Sequence, residues 1–345
     1  MHLIDGSYGE GGGQLLRTAV ALAAITGEAV RITAIRGRRA NPGLAAQHLT
    51  AVRALAELCH GEVEGLQIRS TDITFHPGQI DGGNFRFDVG TAGSIPLVLQ
   101  AVVPTAIASG KAFQLHLTGG TDVRAAPPLD YLRLVLLPIL AKMGADARVV
   151  PLRRGYYPRG GGTVEVTIHS TGPLKPLLLD SPGALREIRG VAHISNLPAH
   201  IAQRMSQAAK QVLSPYPNVA IEQFVYGKEE AIGMGGTIVL AACTTHTRLG
   251  ASATAERGIP AQQLGELAGR ALREEIESGA TLDIHAADQI LIYLALSREP
   301  SVFLARPLSS HALTAIWLLE RFLPVRFLVT PFGRLVQVTT APRRP

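Results

Sequence analysis

His2-Leu3-Ile4-Asp5-Gly6-Ser7-Tyr8-Gly9-Glu10-Gly11-Gly12-Gly13-Gln14 runs from a short strand through a glycine-rich loop into an apolar helical pattern, Leu15 to Thr26, which Gly27 ends. Val30 to Ile35 reads as the next strand, followed by a basic loop, Arg36-Gly37-Arg38-Arg39-Ala40-Asn41-Pro42-Gly43. A second helix is expected from Leu44 to Cys59, then two short strands near 62–68 and 72–76. The order is β-α-β-α-β-β, and it recurs. Phe85–Val89, a helix from Thr91 to Ala108, Phe113–Leu117, a helix from Tyr131 to Met143 and paired strands near 147–152 and 163–168 repeat it. Repeats of about 80 residues with this alternation predict stacked α/β units, each laying its helices on one face of a small sheet.

From Leu185 the pattern changes. A strand at 187–194, a helix from Ala199 to Leu213, strands at 220–226 and 237–244 and a charged helix from Pro260 to Ser278 form a unit of their own. After it, a helix at 284–297, a strand at 301–305, a helix carrying His311 and strands at 325–330 and 335–339 restore the repeat, with its first strand supplied near 177–179. The expected organisation is therefore a three-repeat body, 1–184 and 281–345, interrupted by an inserted smaller α/β domain at 185–280.

A chain of 345 residues with 46% hydrophobic and 17% charged residues is well packed rather than disordered. The net charge of +6 and the pI near 9.6 lean only weakly toward an anionic partner. Cys59 and Cys243 are too few for a disulfide framework and read as buried thiols. Cys243 with His246 does not make a metal site. No secretory leader is legible. The longest apolar run, Ile95 to Ala108, is broken by Pro96 and Pro104, so the expectation is a cytoplasmic protein with no membrane span.

The chemistry-bearing segments each have a plainer reading beside the functional one. Ser309 or Ser310 is a natural N-cap, placing His311 in a first helical turn where the dipole disfavours imidazolium. A neutral ring there is a nucleophile toward a phosphate ester, or simply a packing residue. Glu10, just ahead of a helix, can hold a magnesium ion bridging phosphate oxygens, or sit exposed in a tight turn. Arg17 lies one turn beyond Gly13 on the side that can face the same anion. The forks of Arg36, Arg38 and Arg39 match phosphate oxygens, or are solvated, with Gln47 and His48 following on the next helix. Gln100 is a lone amide in an apolar run and needs partners. Tyr131, the Gly119–Asp122 loop and Ala126-Pro127-Pro128 suit the rim of a nucleotide pocket, or are ordinary packing and loop residues. Asp288 and Gln289 suit a ribose or base edge, or merely an acidic first turn.

Glu10–Gln14, the loop through Arg38-Arg39-Ala40-Asn41-Pro42-Gly43-Leu44, Gln47–Val52, Gly235-Gly236, His285–Gln289 and Ser310-His311, in this order, resemble the RNA 3'-terminal phosphate cyclase family. The resemblance spans essentially the whole chain. It implies three β-α-β-α-β-β repeats, related to enolpyruvyl transferases, plus an inserted α/β domain. It also implies an ATP-dependent reaction in three steps. A histidine takes AMP from ATP and releases pyrophosphate; AMP passes to an RNA 3'-phosphate; the vicinal 2'-OH displaces AMP to leave a 2',3'-cyclic phosphate. Carried over, His311 is the adenylated nucleophile and Glu10 the carboxylate associated with Mg2+ (or Mn2+). Gln100, His285, Ala286, Ala287, Asp288 and Gln289 contact ATP, while Arg17, Arg36, Arg38 and Gln47 hold the RNA 3'-phosphate end. Some relatives lack the nucleophile and serve as ribosome-assembly factors; the presence of His311 and Glu10 argues against that role here. Enolpyruvyl transferases need two large domains of comparable size and show no Ser-His segment. The oligomeric state stays open.

Overall fold

The computed structural model describes residues 1–170, 172–297 and 299–342. The first unit contains β1 (His2–Asp5), α1 (Gly13–Thr26), β2 (Val30–Thr33), α2 (Ala46–Leu58), β3 (Glu62–Glu64) and β4 (Ile73–His76). Its sheet runs β1-β2-β4-β3, with β1 parallel to β2 and the other pairs antiparallel. The second unit comprises β5 (Gly83–Asp88), α3 (Ile95–Ser109), β6 (Phe113–Gly119), α4 (Leu129–Tyr131), a π-helical segment (Leu132–Leu136), α5 (Leu137–Lys142), β7 (Ala147–Gly155) and β8 (Gly162–Ile168). Here β5 is parallel to β6, β6 antiparallel to β8 and β8 antiparallel to β7, which is the first unit's topology again.

Residues 185–278 carry a sheet of their own. Its elements are β9 (Leu185–Ser195), α6 (His200–Val212), β10 (Val219–Tyr226), β11 (Ala231–Ile232), β12 (Gly235–Thr244), β13 (Arg248–Thr254) and α7 (Ala261–Ser278). The sheet order is β10-β9-β12-β13, and α6 and α7 cover one face through a cluster that includes Ile188, Met205, Ile238, Leu240 and Leu272. Val239 and Ala241 point the other way into the main core, and β11 leaves this unit to pair with β7, so the segment is sewn to the second repeat.

The last unit contains α8 (Ile284–Leu296), β14 (Val302–Ala305), α9 (Ser310–Phe322), β15 (Val325–Phe332) and β16 (Leu335–Pro342), in the sheet order β14-β16-β15. Its missing first strand is supplied from outside: Leu178 bridges Val302 in parallel, as the repeat pattern predicts. The three units therefore share one strand order and one pattern of directions.

The strand Arg248–Thr254 was not expected, and several expected bounds shift. The helix expected from Thr91 starts at Ile95, because Ser94 Oγ accepts the Leu97 N–H and caps it there. The strand expected over 62–68 ends at Glu64. The helix expected from Tyr131 to Met143 is broken by the π-helical turn immediately before Pro138, where a continuous α-helix would drive the proline ring into the carbonyl of residue i−4.

One apolar core runs through all three repeats. In it α1 packs against α2, α3 and α9, and α8 packs against α9. Among the described residues, no helix is long and apolar enough to cross a membrane.

Candidate active site

The packing of the repeats turns the N-terminal turns of five helices toward one cavity of about 810 Å3. Its wall includes Gln14 and Arg17 from α1, Gln47 and His48 from α2, Gln100 from α3, His285, Asp288 and Gln289 from α8, and His311 from α9. Unpaired N–H groups and the positive ends of helix dipoles make such a convergence a place for anions. The volume suits a nucleotide-sized ligand. Ser252 and Thr254 on β13, with Arg124 and Pro127 from the loop before α4, complete the far wall.

At one end, α9 docks on the glycine loop. Ser309 Oγ accepts the Ala312 N–H and caps the helix, leaving His311 in its first turn. Thr314 Oγ1 donates to the Ser310 carbonyl and accepts the Glu10 N–H at 3.1 Å. Gly9 sits at φ +59°, where a Cβ would lie 2.1 Å from Thr314 Oγ1, so only glycine lets loop and helix come this close. The Glu10 carboxylate is thereby held between two partners, with Oε2 2.5 Å from Arg39 Nη2 and 3.6 Å from His311 Nδ1. Its side chain is 3% exposed, and Oε1 has no partner among the described residues. A buried, unpaired carboxylate oxygen is costly, and it fits a ligand to a divalent cation.

Next to it Arg17, 6% exposed, donates to Gln100 Oε1 at 3.1 Å. Gln100 Nε2 donates to Gln289 Oε1, and Gln289 Nε2 donates to the His285 carbonyl. This chain ties α1, α3 and α8 together. It also joins Arg17, expected at the RNA phosphate, to three residues expected at ATP, Gln100, Gln289 and His285. Burial brings the Arg17 guanidinium down to about 10, partly offset by Glu10, so it is charged at neutral pH. His48 is brought down to about 3 by burial and by the nearby Arg17 and Arg36, so its ring is neutral. Because His48 Nδ1 accepts the Ala45 N–H, its proton rests on Nε2, which is a donor turned toward the cavity.

The remaining expected residues divide. Arg36 lines the cavity while donating to the Gly43 carbonyl, and Gln47 lines it with its carbonyl oxygen engaged by Ser94 N–H. Arg38 lies outside the cavity wall, donating to the Gly9 carbonyl and packing its stem against Gly11. Ala286 and Ala287 are fully buried in the core, so α8 turns them away from the cavity. Asp288 accepts from Ser309 Oγ at 2.6 Å, linking α8 to the cap of α9; burial raises its carboxyl, with Ser309 acting in the opposite direction. Arg39, read with Arg36 and Arg38 as a phosphate fork, lines the cavity and pairs with Glu10, whereas Ser252, Thr254 and Asp283 were not singled out by their sequence context. Only Asp283, an N-cap residue directly ahead of α8, carries a readable local signal.

Comparisons with known proteins show the family. The family model described as "RNA 3'-terminal phosphate cyclase" matches residues 8–329. A protein of that name from Nitrosospira multiformis is 59% identical over 342 residues, 99% of this chain and 97% of its own. Others of the same name, from Methanopyrus kandleri and Caldivirga maquilingensis, are 45% and 43% identical over 93% and 100% of this chain, and over 93% and 100% of their own lengths. This chain is an enzyme of the RNA 3'-terminal phosphate cyclase family.

Proposed function

We propose that the chain is an ATP-dependent RNA 3'-terminal phosphate cyclase that works through a covalent AMP on His311. The observation that carries this reading is the placement of His311, in the first turn of α9, on the same cavity as Arg17, Gln100, Asp288 and Gln289. Nδ1 of His311 faces Glu10, so Nε2 is the attacking nitrogen. It forms a P–N bond to the α-phosphorus of ATP while the bond to the pyrophosphate oxygen breaks. An oxygen of the RNA 3'-phosphate then attacks the same phosphorus and restores the histidine. Finally the vicinal 2'-OH, losing its proton, attacks the terminal phosphorus and expels AMP, leaving the 2',3'-cyclic phosphate.

In this reading Gln100, His285, Asp288 and Gln289 hold ATP, while Arg17, Arg36 and Gln47 hold the RNA 3'-phosphate. Arg17 and Gln100 meet where the two ligands react. Arg38 supports the glycine loop from outside. The fixed guanidinium forks and the neutral Nε2–H of His48 offer donors to charge developing on phosphate oxygens. Glu10 Oε1 would hold Mg2+ (or Mn2+), which when bound supplies charge neutralisation at the phosphates. Recognition limited to a terminal phosphate and its ribose needs no base readout. We take residues 1–184 and 281–345 as the catalytic body and 185–280 as the inserted domain.

Incubation with ATP labelled in its α-phosphate, plus magnesium, should transfer acid-labile, alkali-stable label to the protein. His311→Ala should acquire none. Equal labelling of the variant would refute the nucleophile assignment.

A further inference from the structure

Asp283 is more than the N-cap of α8. Its side chain is fully buried, and its two oxygens collect four donors from three separate elements. Oδ1 accepts the N–H groups of His285 and Ala286 at 2.9 and 3.0 Å and the hydroxyl of Tyr131, from α4, at 2.6 Å. Oδ2 accepts the Gly250 N–H, from β13, at 2.7 Å. β13 is the edge strand of its sheet, so this N–H points away from β12 and Asp283 receives it.

The geometry around that bond is specific. A Cβ on Gly250 would lie 2.6 Å from both the Tyr131 ring and Val135, so glycine is what admits Tyr131 between strand and helix. The Tyr131 ring in turn meets His285 edge-on with centroids 6.0 Å apart. Leu249 and Ala251 face the helices of their own unit, so strand alternation puts Gly250, Ser252 and Thr254 on the opposite face. Ser252 and Thr254 are cavity wall. One carboxylate thus sets three walls of the cavity: α8 with His285, Asp288 and Gln289, the Tyr131 segment, and the strand of residues 248–254.

We propose that Asp283 is a positioning residue for the nucleotide, holding the edge strand of the 185–278 unit at the distance from α8 that the ligand requires. The inference rests on the reading of this cavity as the ATP site. A cap alone would need only the His285 and Ala286 bonds. The bonds to Gly250 and Tyr131 have no role in starting α8; together with the Arg248 bond to the Leu134 carbonyl they tie the edge strand to the cavity's other walls.

Asp283→Asn separates the two jobs. With its oxygen at the three-donor position it keeps the cap and the Tyr131 bond, but it turns an NH2 toward the Gly250 N–H, so donor faces donor. Self-labelling of the full chain as a function of ATP concentration should show KM for ATP raised about tenfold or more, with the saturating rate within about threefold of the parent. A residue that only stabilises the fold would lower the labelled fraction and leave KM unchanged. In parallel, amide exchange over residues 248–254 should accelerate in Asp283→Asn while α6 and α7 keep parental protection. Tyr131→Phe, which removes one donor and keeps the ring, should raise KM by a smaller factor. If both variants label with parental KM, or exchange over 248–254 is unchanged, the positioning role is refuted. If the parent itself takes no label from ATP, the ATP reading of the cavity is what fails, and the exchange measurement still judges the strand link.

Discussion

Arg17→Met should make the ligand-free protein more stable while impairing its binding of RNA ends. The guanidinium is 6% exposed and lies at the second turn of α1, with Nε unpartnered among the described residues. Burial takes it down from its ordinary value to about 10. Each tenfold change in proton affinity corresponds to about 1.36 kcal/mol, so keeping the charge in place costs ~3 kcal/mol as an order of magnitude. Methionine fills much of the same volume without a charge but forfeits the bond to Gln100, worth ~1 kcal/mol. The net expectation is a gain of ~1–2 kcal/mol. For a chain of 345 residues, an unfolding entropy of ~0.7 kcal/mol/K converts that into a rise of roughly 1.5–3 °C in the melting midpoint. The opposite sign is expected for the ligand. A short RNA ending in a 3'-phosphate, titrated against the parent and the variant, should bind the variant at least about tenfold more weakly, a loss of ~1.4 kcal/mol. Differential scanning calorimetry without ligand and a binding isotherm at fixed salt measure the two halves separately. A variant that melts lower than the parent while binding the RNA end equally well would refute the idea that Arg17 is a charge kept buried for an anion.

Three further outcomes follow from the same geometry. Glu10→Gln keeps the shape of the loop but removes the charge beside Arg39 and His311; labelling by ATP should slow by about 100-fold, ~2.7 kcal/mol of barrier, read as a single-turnover rate. Gly9→Ala must place a side chain against Thr314 at φ +59°; it should cost ~1 kcal/mol or more in urea unfolding and lower the labelling rate, because the loop that carries Glu10 is displaced. The third concerns His193, fully buried beside Asp122, Asp130, Arg154, Tyr156 and Tyr226. Burial works against its charge, but Asp122 and then Asp130 outweigh it and raise the imidazolium above the ordinary 6.5. Its stabilising contribution is therefore complete below about 6.5 and is lost as pH rises through the folded value. Burial likewise opposes the charge on Asp122 and Asp130, yet Arg154 and His193 hold both carboxyls below the ordinary 3.8. Their contribution is complete above that pH and is lost on acidification. Between pH 6 and 9 the urea midpoint of the parent should fall, and His193→Gln should flatten the slope; equal slopes would refute a charged His193.

The repeat architecture was legible because it rests on local patterns. Each unit alternates apolar helices with short strands, and the third could be completed only by borrowing a strand near 177–179, which the Leu178–Val302 bridge supplies. The cap of α9 and the first-turn place of His311 were legible for the same reason. What local patterns do not carry is which side of a helix faces a ligand. Ala286 and Ala287 sit beside Asp288 in sequence, yet a helix rotates about 100° per residue and delivers them to the core. Arg38 and Arg39 are neighbours in one loop, and only the turn of that loop sends Arg39 to Glu10 and Arg38 to the Gly9 carbonyl. Ser252 and Thr254 had no signal at all, because their side of β13 is a wall only once a separate unit is packed against α8.

Two groups of buried polar atoms lack partners among the described residues, and the contrast between them bears on where the ligand goes. At the junction of the second repeat with the 185–278 unit, Asp122 Oδ1, Arg154 Nε and His193 Nε2 are unpaired. There two carboxylates face a guanidinium and an imidazolium, with Arg133 reaching Asp130 from outside, so the group is balanced within itself. The same Asp122, Asp130 and His193 could in principle gather round a metal ion, but Arg154 Nη2 already stands 2.6 Å from Asp130 and supplies the cation. At the cavity, Glu10 Oε1, Arg17 Nε and His311 Nδ1 are the unpaired atoms. The guanidinium groups of Arg17, Arg36, Arg39 and Arg124 stand there with the carboxylates of Glu10, Asp288 and Glu256, of which Glu256 pairs with Arg124, beside helix N-termini that add further positive potential. Unpaired buried groups cost stability in either place, but the second group borders an open cavity whose wall carries more guanidinium groups than carboxylates. The fold tolerates that cost beside a cavity where an anion can relieve it, which is what the proposed phosphate chemistry at His311 requires.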